Sequence, residues 1–522
     1  MPVYLIEIDG YGLSLQTFRF ATEAYITSPS DSPANTVYEP RIVDPGTFNI
    51  NLFSAGETSG SAMTANGASA SLGSGSGDIG YGDVIIANAD GALDSWFDLG
   101  FDGRRVEIKS LASAKSAFSS AVTVFKGRVE RIDTADAWQT LRVRMFDRRL
   151  DLDLPLQTTR YGGTVTGSAD SADGTVDLKD QVKPLAFGRV YNIKALPVNP
   201  FDGIYQVSDG AVASIQAYDG GVPLDLASNY GSIAALRAAT VIPGQFATAL
   251  SLGLFRIAAT SFQCTADVVE GSTRSAGQVA KRMMQKFGLV SGVDFDDSSI
   301  TALDGLNSAE VGVWLDSEIN ALAAIQQVLG SIGAWIAPNS LGMLVVGRFS
   351  APGTPSDTLT LDDMLEKNRM KFEVTQDAGR GIPAYRVIIN YKRNYFVMQG
   401  SEVHGCVDDD TRAYLLTEWR QAKCEDVSIN TKFKLAVELT MDTYLTQLSD
   451  ALSEGARLLS LYGARRDRVN VMLWMDRATS INLGDTVSIR VPRFGYDSGR
   501  PMRVIGRTDS RVDNTVLVDL YG

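Results

Sequence analysis

Histidine is nearly missing from this sequence: one imidazole, His404, serves all 522 residues. Any catalytic arrangement that moves a proton through histidine must use that position. Cysteine is scarce as well, and Cys264, Cys406 and Cys424 are odd in number and widely spread. Three dispersed thiols do not make a disulfide framework and agree with a reducing compartment. There is no Gly-Lys dipeptide and no Gly-x-Ser-x-Gly stretch, which removes a Walker loop and a nucleophile elbow. Long apolar runs are absent too. The most apolar window, FATALSLGLFRIAAT (246–260), is broken by Ser251, Gly253 and Arg256. It falls far short of the ~20 residues that span a bilayer. The opening MPVYLIEIDGYG has no basic or apolar leader region, so a soluble chain made in a cytoplasm, with no membrane anchoring, is expected. Positive charge is outnumbered, 48 Lys and Arg against 61 Asp and Glu, for a net −13. That balance argues against gripping phosphates over a broad surface, but it suits walls that nucleic acid passes without sticking.

What is present is mostly β pattern. The length predicts ~3–4 domains. Strand-type alternation runs through VYLIEID, FRFATEAYIT, VYEPRIVDPGTFNINLF (37–53), DVIIANADG, RRVEIKSL, VTVFKGRVERID and LRVRMFDRRLDLDL, which makes residues 1–150 a β-barrel or sandwich. Within them SAGETSGSAMTANGASASLGSGSG (54–77) carries almost no large apolar residue. Such a run cannot offset its ordering entropy unless a neighbour packs over it, so it reads as a mobile arm. Residues 151–259 continue as a second β-rich domain. Residues 260–355 read as a small α+β domain with two helices. The first lies in STRSAGQVAKRMMQKFG (272–288) and closes at Gly288. The second runs from an N-cap at Asp316 to Gly330. Residues 356–522 are β-rich again, with a long helix expected at 438–462 and a terminal β-module packed on it.

The candidate chemistry is thin. Gly75, Gly77 and Gly80 have the G-x-G-x-x-G spacing of a pyrophosphate loop, but a Gly/Ser coil precedes them and Val84-Ile85-Ile86 follows. A dinucleotide site needs a strand before and a helix after, so no cofactor is expected. His404 lies in SEVHGCVDDDTR, an exposed turn with Cys406 on the same side of the extended chain. A zinc site would have to combine Cys264, His404, Cys406 and Cys424, which lack the paired clips of such sites. The acidic runs DFDDSS (294–299) and DDD (408–410) read as solvated loops, since the first lacks the glycine and distal glutamate of a calcium loop. Trp96, Trp314, Trp335 and Trp474 fall inside strand or helix patterns and read as core. No catalytic, cofactor or metal residue is assigned.

Three segments then stand out together: GYGDVIIANADGALDSWFDLGFDGRRVEI, KPLAFGRVYNIKALPVNPFDGIYQVSDGAVASIQAYDGGVPL and GQFATALSLGLFRIAATSFQCTADV. With the ending INLGDTVSIRVPRFGYDSGRPMRVIG and NTVLVDLYG, the chain resembles a family of tail proteins of long-tailed bacteriophages. The resemblance implies a baseplate hub, or tail-tip, protein of the virion with no enzymatic activity. It implies tail-tube-like β-barrels in a homotrimer that adapts the tube's symmetry to the tip. The implied partners are distal tail or tail tube proteins on one side and tail fibre or receptor-binding proteins on the other. Genomic DNA and a tape measure protein are implied as transiting cargo. A second expectation of another class is a tail-associated glycan-binding protein or glycoside hydrolase using two carboxylates roughly 5–10 Å apart.

Overall fold

Strand alternation becomes barrel wall in the N-terminal part of the computed structural model. It describes residues 2–52, 80–136, 138–168, 171–339, 341–365, 383–464 and 466–522, together with the backbone of 371–374. The expected arm at 54–77, with Gly75 and Gly77, lies outside the described residues. The protein is mainly β with α+β parts.

The first barrel is built from β1 (Val3–Tyr11), β2 (Leu15–Ala21), β3 (Tyr25–Ile26), β4 (Val37–Tyr38), β5 (Ile42–Asn51), β6 (Tyr81–Ala87), β7 (Arg105–Leu111), β8 (Val122–Ala135) and β9 (Thr140–Asp147). Its strand order is β2-β1-β7-β8-β9-β6-β5. The chain between β4 and β5 closes the ring. Glu39 bridges Phe20 at the free edge of β2, and Ile42 then pairs with Ile86 on β6. Closure removes the edge that an open sheet would expose. Tyr4, Ile6 and Ile8 of β1 point inward to a core shared with Phe48, Val84 and Val143. The alternate residues Val3 and Leu5 are buried on the outside under Tyr25, Tyr38 and Leu111. Both faces of β1 are covered, which explains its unbroken apolar start.

The middle of the chain forms two five-stranded sheets. One contains β10 (Leu185–Ile193), β13 (Ser214–Asp219), β14 (Val222–Pro223), β18 (Cys264–Val269) and β19 (Gly312–Leu315) in the order β14-β13-β18-β10-β19. The other joins β11 (Leu196–Asn199), β12 (Ile204–Gln206), β15 (Asp225–Asn229), β16 (Gln245–Ala249) and β17 (Leu254–Ile257). Helix α1 (Ile233–Ala238) packs beside β16. Against these lie α2 (Ala276–Phe287), α3 (Asp297–Leu306), α4 (Ala321–Gly330) and the hairpin β20 (Ala334–Pro338) and β21 (Leu344–Arg348). Helix α2 is capped as its sequence predicts, with Ser275 accepting from the Gln278 N–H and Gly288 left-handed at the end. Helix α4 begins later than expected, at N-cap Asn320 rather than Asp316. The stretch before it is held extended, because Gln157 donates to the Leu315 and Ser317 carbonyls and Pro155 bridges Asn320.

The C-terminal part contains β22 (Asp357–Thr360), β23 (Lys371–Val374), β24 (Ala384–Tyr391), α5 (Asp409–Leu415), β25 (Arg420–Glu425), α6 (Val427–Lys432), β26 (Val437–Asp442), α7 (Leu448–Tyr462), β27 (Asp467–Trp474), β28 (Thr486–Arg490), β29 (Arg500–Ser510) and β30 (Thr515–Tyr521). The helix expected at 438–462 is therefore only its second half. Residues Val437–Asp442 are a strand parallel to β24. Leu439 and Met441 have the two-residue period of that strand, and Met441 and Leu445 also fit a helical period by coincidence. Helix α7 packs mainly on β24 and β25 rather than on the terminal β-module.

That module is a second barrel. Strands β28, β29, β30 and β27 are antiparallel neighbours, β22 lies parallel to β28, and Met364 bridges Leu473 to complete the ring. Val471, Val487, Val504 and Val518 fill it. Strand β29 also pairs with β5 from Gly506–Asn51 to Ser510–Thr47, which makes the two barrels one continuous 13-stranded sheet. Hydrogen-bonded pairs thus cross the sequence borders. Strand β18 joins β10 and β13 across 259/260, and Val311 bridges Leu445 across 355/356.

Candidate functional site

Gly80 is the one residue of the glycine pattern inside the described chain, and strand β6 follows it rather than a helix. Its N–H donates to Asp147 Oδ2 at 2.6 Å, and the same oxygen receives Arg149 Nη2 at 2.7 Å. Arg149 and Asp147 are fully buried, so this is an internal ion pair with a glycine packed against it.

Both acidic runs turn out to be helix starts. Asp296 caps α3 through the Ser298 N–H, Asp294 receives Arg148 Nη2 at 2.9 Å, and Asp297 pairs with Lys281 at 2.7 Å. Asp408 caps α5 through the Thr411 N–H. Carboxylates at a helix N-terminus satisfy free N–H groups and suit the dipole, which is a structural use. Of the tryptophans expected in the core, Trp96, Trp314 and Trp335 are buried, whereas Trp474 ends β27 and is half exposed.

The three thiols meet different surroundings. Cys264 is buried in the core of the first middle sheet, where burial pushes its thiol up to about 12. Cys424 donates to the Leu452 carbonyl at 3.4 Å, and burial raises it as well. Cys406 is exposed, and its Sγ stands 3.0 Å from His404 Nδ1. The structure thus brings His404 and Cys406 together and leaves Cys264 and Cys424 elsewhere. Among the described residues no three His, Cys, Asp or Glu side chains form a metal-holding group.

The loop after β24 delivers this pair. Asn394 anchors it, with Nδ2 donating to the Tyr414, Leu415 and Thr417 carbonyls and Oδ1 accepting from Asn192. Lys392 lies between the rings of Tyr191 and Tyr414, 4.7 and 4.9 Å from their centroids. Burial lowers its ammonium and raises the Asp267 carboxyl nearby. Farther along, the His404 N–H donates to the Gly220 carbonyl at 2.9 Å, and Arg412 Nη2 donates to the His404 carbonyl at 2.9 Å. A side chain at Gly220 would press on Phe262 and the Glu402 carbonyl. Phe262 meets the imidazole edge-on at 5.5 Å.

Between this loop, the β13–β14 turn and the end of β17 is a pocket of about 190 Å³. Val222, Pro223, Leu224, Ala258 and Ala259 line it, with Asp219, His404 and Cys406 among its polar groups. The Asp219 carboxylate is already taken by the N–H groups of Ser261 and Phe262 at 2.9 and 2.7 Å. The sequence singles out the His404–Cys406 pair, but no local signal marks the walls, which come from separate strands.

A different surface lies at one end of the first barrel. The β1–β2 hairpin tip exposes Tyr11, Leu13 and Leu15, with Leu13 wholly in solvent. Tyr11 and Gly100 exchange backbone hydrogen bonds of 3.0 and 2.9 Å, which hold the tip against the turn at Asp94–Asp98. That turn presents Phe97 outward and Trp96 inward onto Phe18 and Phe101. Arg104 covers the Tyr11 ring at 5.0 Å.

No family model matches the chain, and no curated protein matches it. Solved structures do. It is similar to a 43 kDa tail protein of prophage MuSo2 from Shewanella oneidensis, at 10% identity over 100% of this chain and 98% of that one, with a TM-score of 0.41. A tail protein from Neisseria meningitidis matches at 10% identity over 99% and 96%, with a TM-score of 0.39. Prophage tail protein gp18 from Listeria monocytogenes matches at 9% identity over 99% and 94%, with a TM-score of 0.41.

Proposed function

We propose that this chain is a structural baseplate hub protein of a phage tail. Copies of it form a ring, a homotrimer, which continues the tail tube, adapts its symmetry to the tip and lets DNA pass. The observation that carries this reading is the apolar hairpin tip at Tyr11–Leu15 on a closed barrel fused edge to edge with a second barrel. Exposed apolar groups clustered on a rigid tip mark a surface that another protein covers. Two barrels sharing one sheet give a continuous β wall of the kind a conduit needs. The quoted sequence phrases and the acidic balance support the same reading. In it, tube proteins bind one side of the ring, fibre or receptor-binding proteins bind the other, and the place of action is the virion tail tip.

Light scattering and low-resolution imaging of the purified full chain test it. A ring of three copies is the expected result. A monomer that persists at high concentration, with no ring in any image, overturns it.

A further inference from the structure

The pair His404 and Cys406 lines the pocket, and its geometry is that of a base beside a nucleophile. His404 Nδ1 accepts the Cys406 backbone N–H at 3.3 Å. That nitrogen therefore carries the lone pair, and the ring proton sits on Nε2. Cys406 Sγ is 3.0 Å from the same Nδ1, closer than the backbone N–H at 3.3 Å, so the thiol shares that acceptor with its own backbone. Cys264 is buried, and the half-buried Cys424 donates to the Leu452 carbonyl instead of facing a base.

We propose that Cys406 and His404 form a reactive thiol–imidazole pair that exchanges disulfides with a small, uncharged disulfide whose apolar arm enters the adjoining pocket. The volume of about 190 Å³ is close to the ~150 Å³ of an apolar cavity that accepts benzene. One ring or a short aliphatic arm fits against Pro223, Leu224 and Ala258. The Asp219 carboxylate in the lining opposes an anionic arm. Of the other charges close to the pair in sequence, Asp409 and Asp410 are exposed on the first turn of α5, and three more are engaged. Arg412 is on the His404 carbonyl, Glu402 accepts the Gln399 N–H, and Asp408 accepts the Thr411 N–H.

In the exchange, Nδ1 takes the thiol proton as Sγ attacks one sulfur of the disulfide. The old S–S bond breaks, and its electron pair leaves on the departing thiolate. The imidazolium returns the proton to that thiolate, so the products are a mixed disulfide on Cys406 and one free thiol. The incoming disulfide is the only oxidant.

The test uses the full chain with 2,2′-dithiodipyridine, following release of pyridine-2-thione. One fast equivalent is expected. It should be absent in Cys406→Ser, and in His404→Gln about tenfold or more slower near neutral pH. The dianionic 5,5′-dithiobis(2-nitrobenzoate) should show less acceleration over free cysteine than the dipyridyl reagent. Thermal unfolding of each variant checks that it folds. A fast equivalent that survives in Cys406→Ser overturns the proposal, as does a folded His404→Gln variant with the wild-type rate. Independently of any variant, wild-type Cys406 reacting no faster than free cysteine at the same pH overturns it, and equal acceleration of the two reagents removes the pocket.

Discussion

The guanidinium carbon of Arg511 stands 4.2 Å from the centroid of the Phe48 ring, although the two residues belong to different barrels. Arg511 follows β29 and is buried, with Nη1 unpartnered and Nη2 on the Val124 carbonyl at 3.4 Å. Burial holds its guanidinium below the ordinary arginine range. Such a charge costs solvation that the Phe48 ring and, at 6.0 Å, the Tyr4 ring offset only in part. Arg511→Met keeps the volume and should be as stable as wild type within ~1 kcal/mol, or more stable. Arg511→Ala should fall ~2 kcal/mol or more below the Met variant, because it leaves a cavity. Urea unfolding midpoints check both.

Gly312 faces Gly188 where β19 meets β10. A Cβ on Gly312 would overlap the Arg189 carbonyl, and Gly188 has φ of +74°. Gly312→Ala should lose ~3 kcal/mol or fail to fold, since backbone cannot yield as a side chain does. Gly231, which has open space and no positive φ, is the control, and Gly231→Ala should lie within ~1 kcal/mol of wild type. Thermal unfolding of the pair distinguishes them.

Glu310 clasps Arg189 at 2.9 Å and also pairs with Arg274. Burial pushes its carboxyl up, but the Arg274 hydrogen bond and the charges of Arg189 and Arg274 outweigh that and hold it below the usual range. A lowered folded value means that the clasp stabilises fully above the unfolded value of ~4.3. Stability is then lost as pH falls through the lower folded value. Glu310→Gln should be less stable at neutral pH and should lose less between pH ~5 and ~3. Urea midpoints across that range provide the check.

Leu13 makes no burial-dependent contribution within one chain, so Leu13→Asp should leave the fold within ~0.5 kcal/mol of wild type. In the proposed ring it would bury an unpaired carboxylate, weakening assembly by roughly 100-fold. Sedimentation at several concentrations reads this directly. Unchanged assembly would place the ring contact elsewhere on the barrel.

Much of the local structure was legible. Ser275 and Gly288 bracket an apolar stripe, and α2 follows from residues within one short window. The apolar spacing around Met441 and Leu445 was ambiguous, because a two-residue and a helical period coincide there. Pairing with β24 decided for the strand. Asp296 and Asp408 were visible as acidic residues but not as caps, since capping depends on where the next turn begins.

The sequence alone determined the element types over most of the chain, the shortage of imidazole and thiol groups, and the nearness of His404 to Cys406, because these depend on neighbours along the backbone. Only the tertiary structure decided that β5 and β29 share a ladder, that Arg511 reaches Phe48, and that Pro223 and Ala258 wall the space beside Cys406. Those contacts join residues far apart in the chain. Each is chosen by the shape and hydrogen-bonding needs of the whole fold, which no short window of sequence contains.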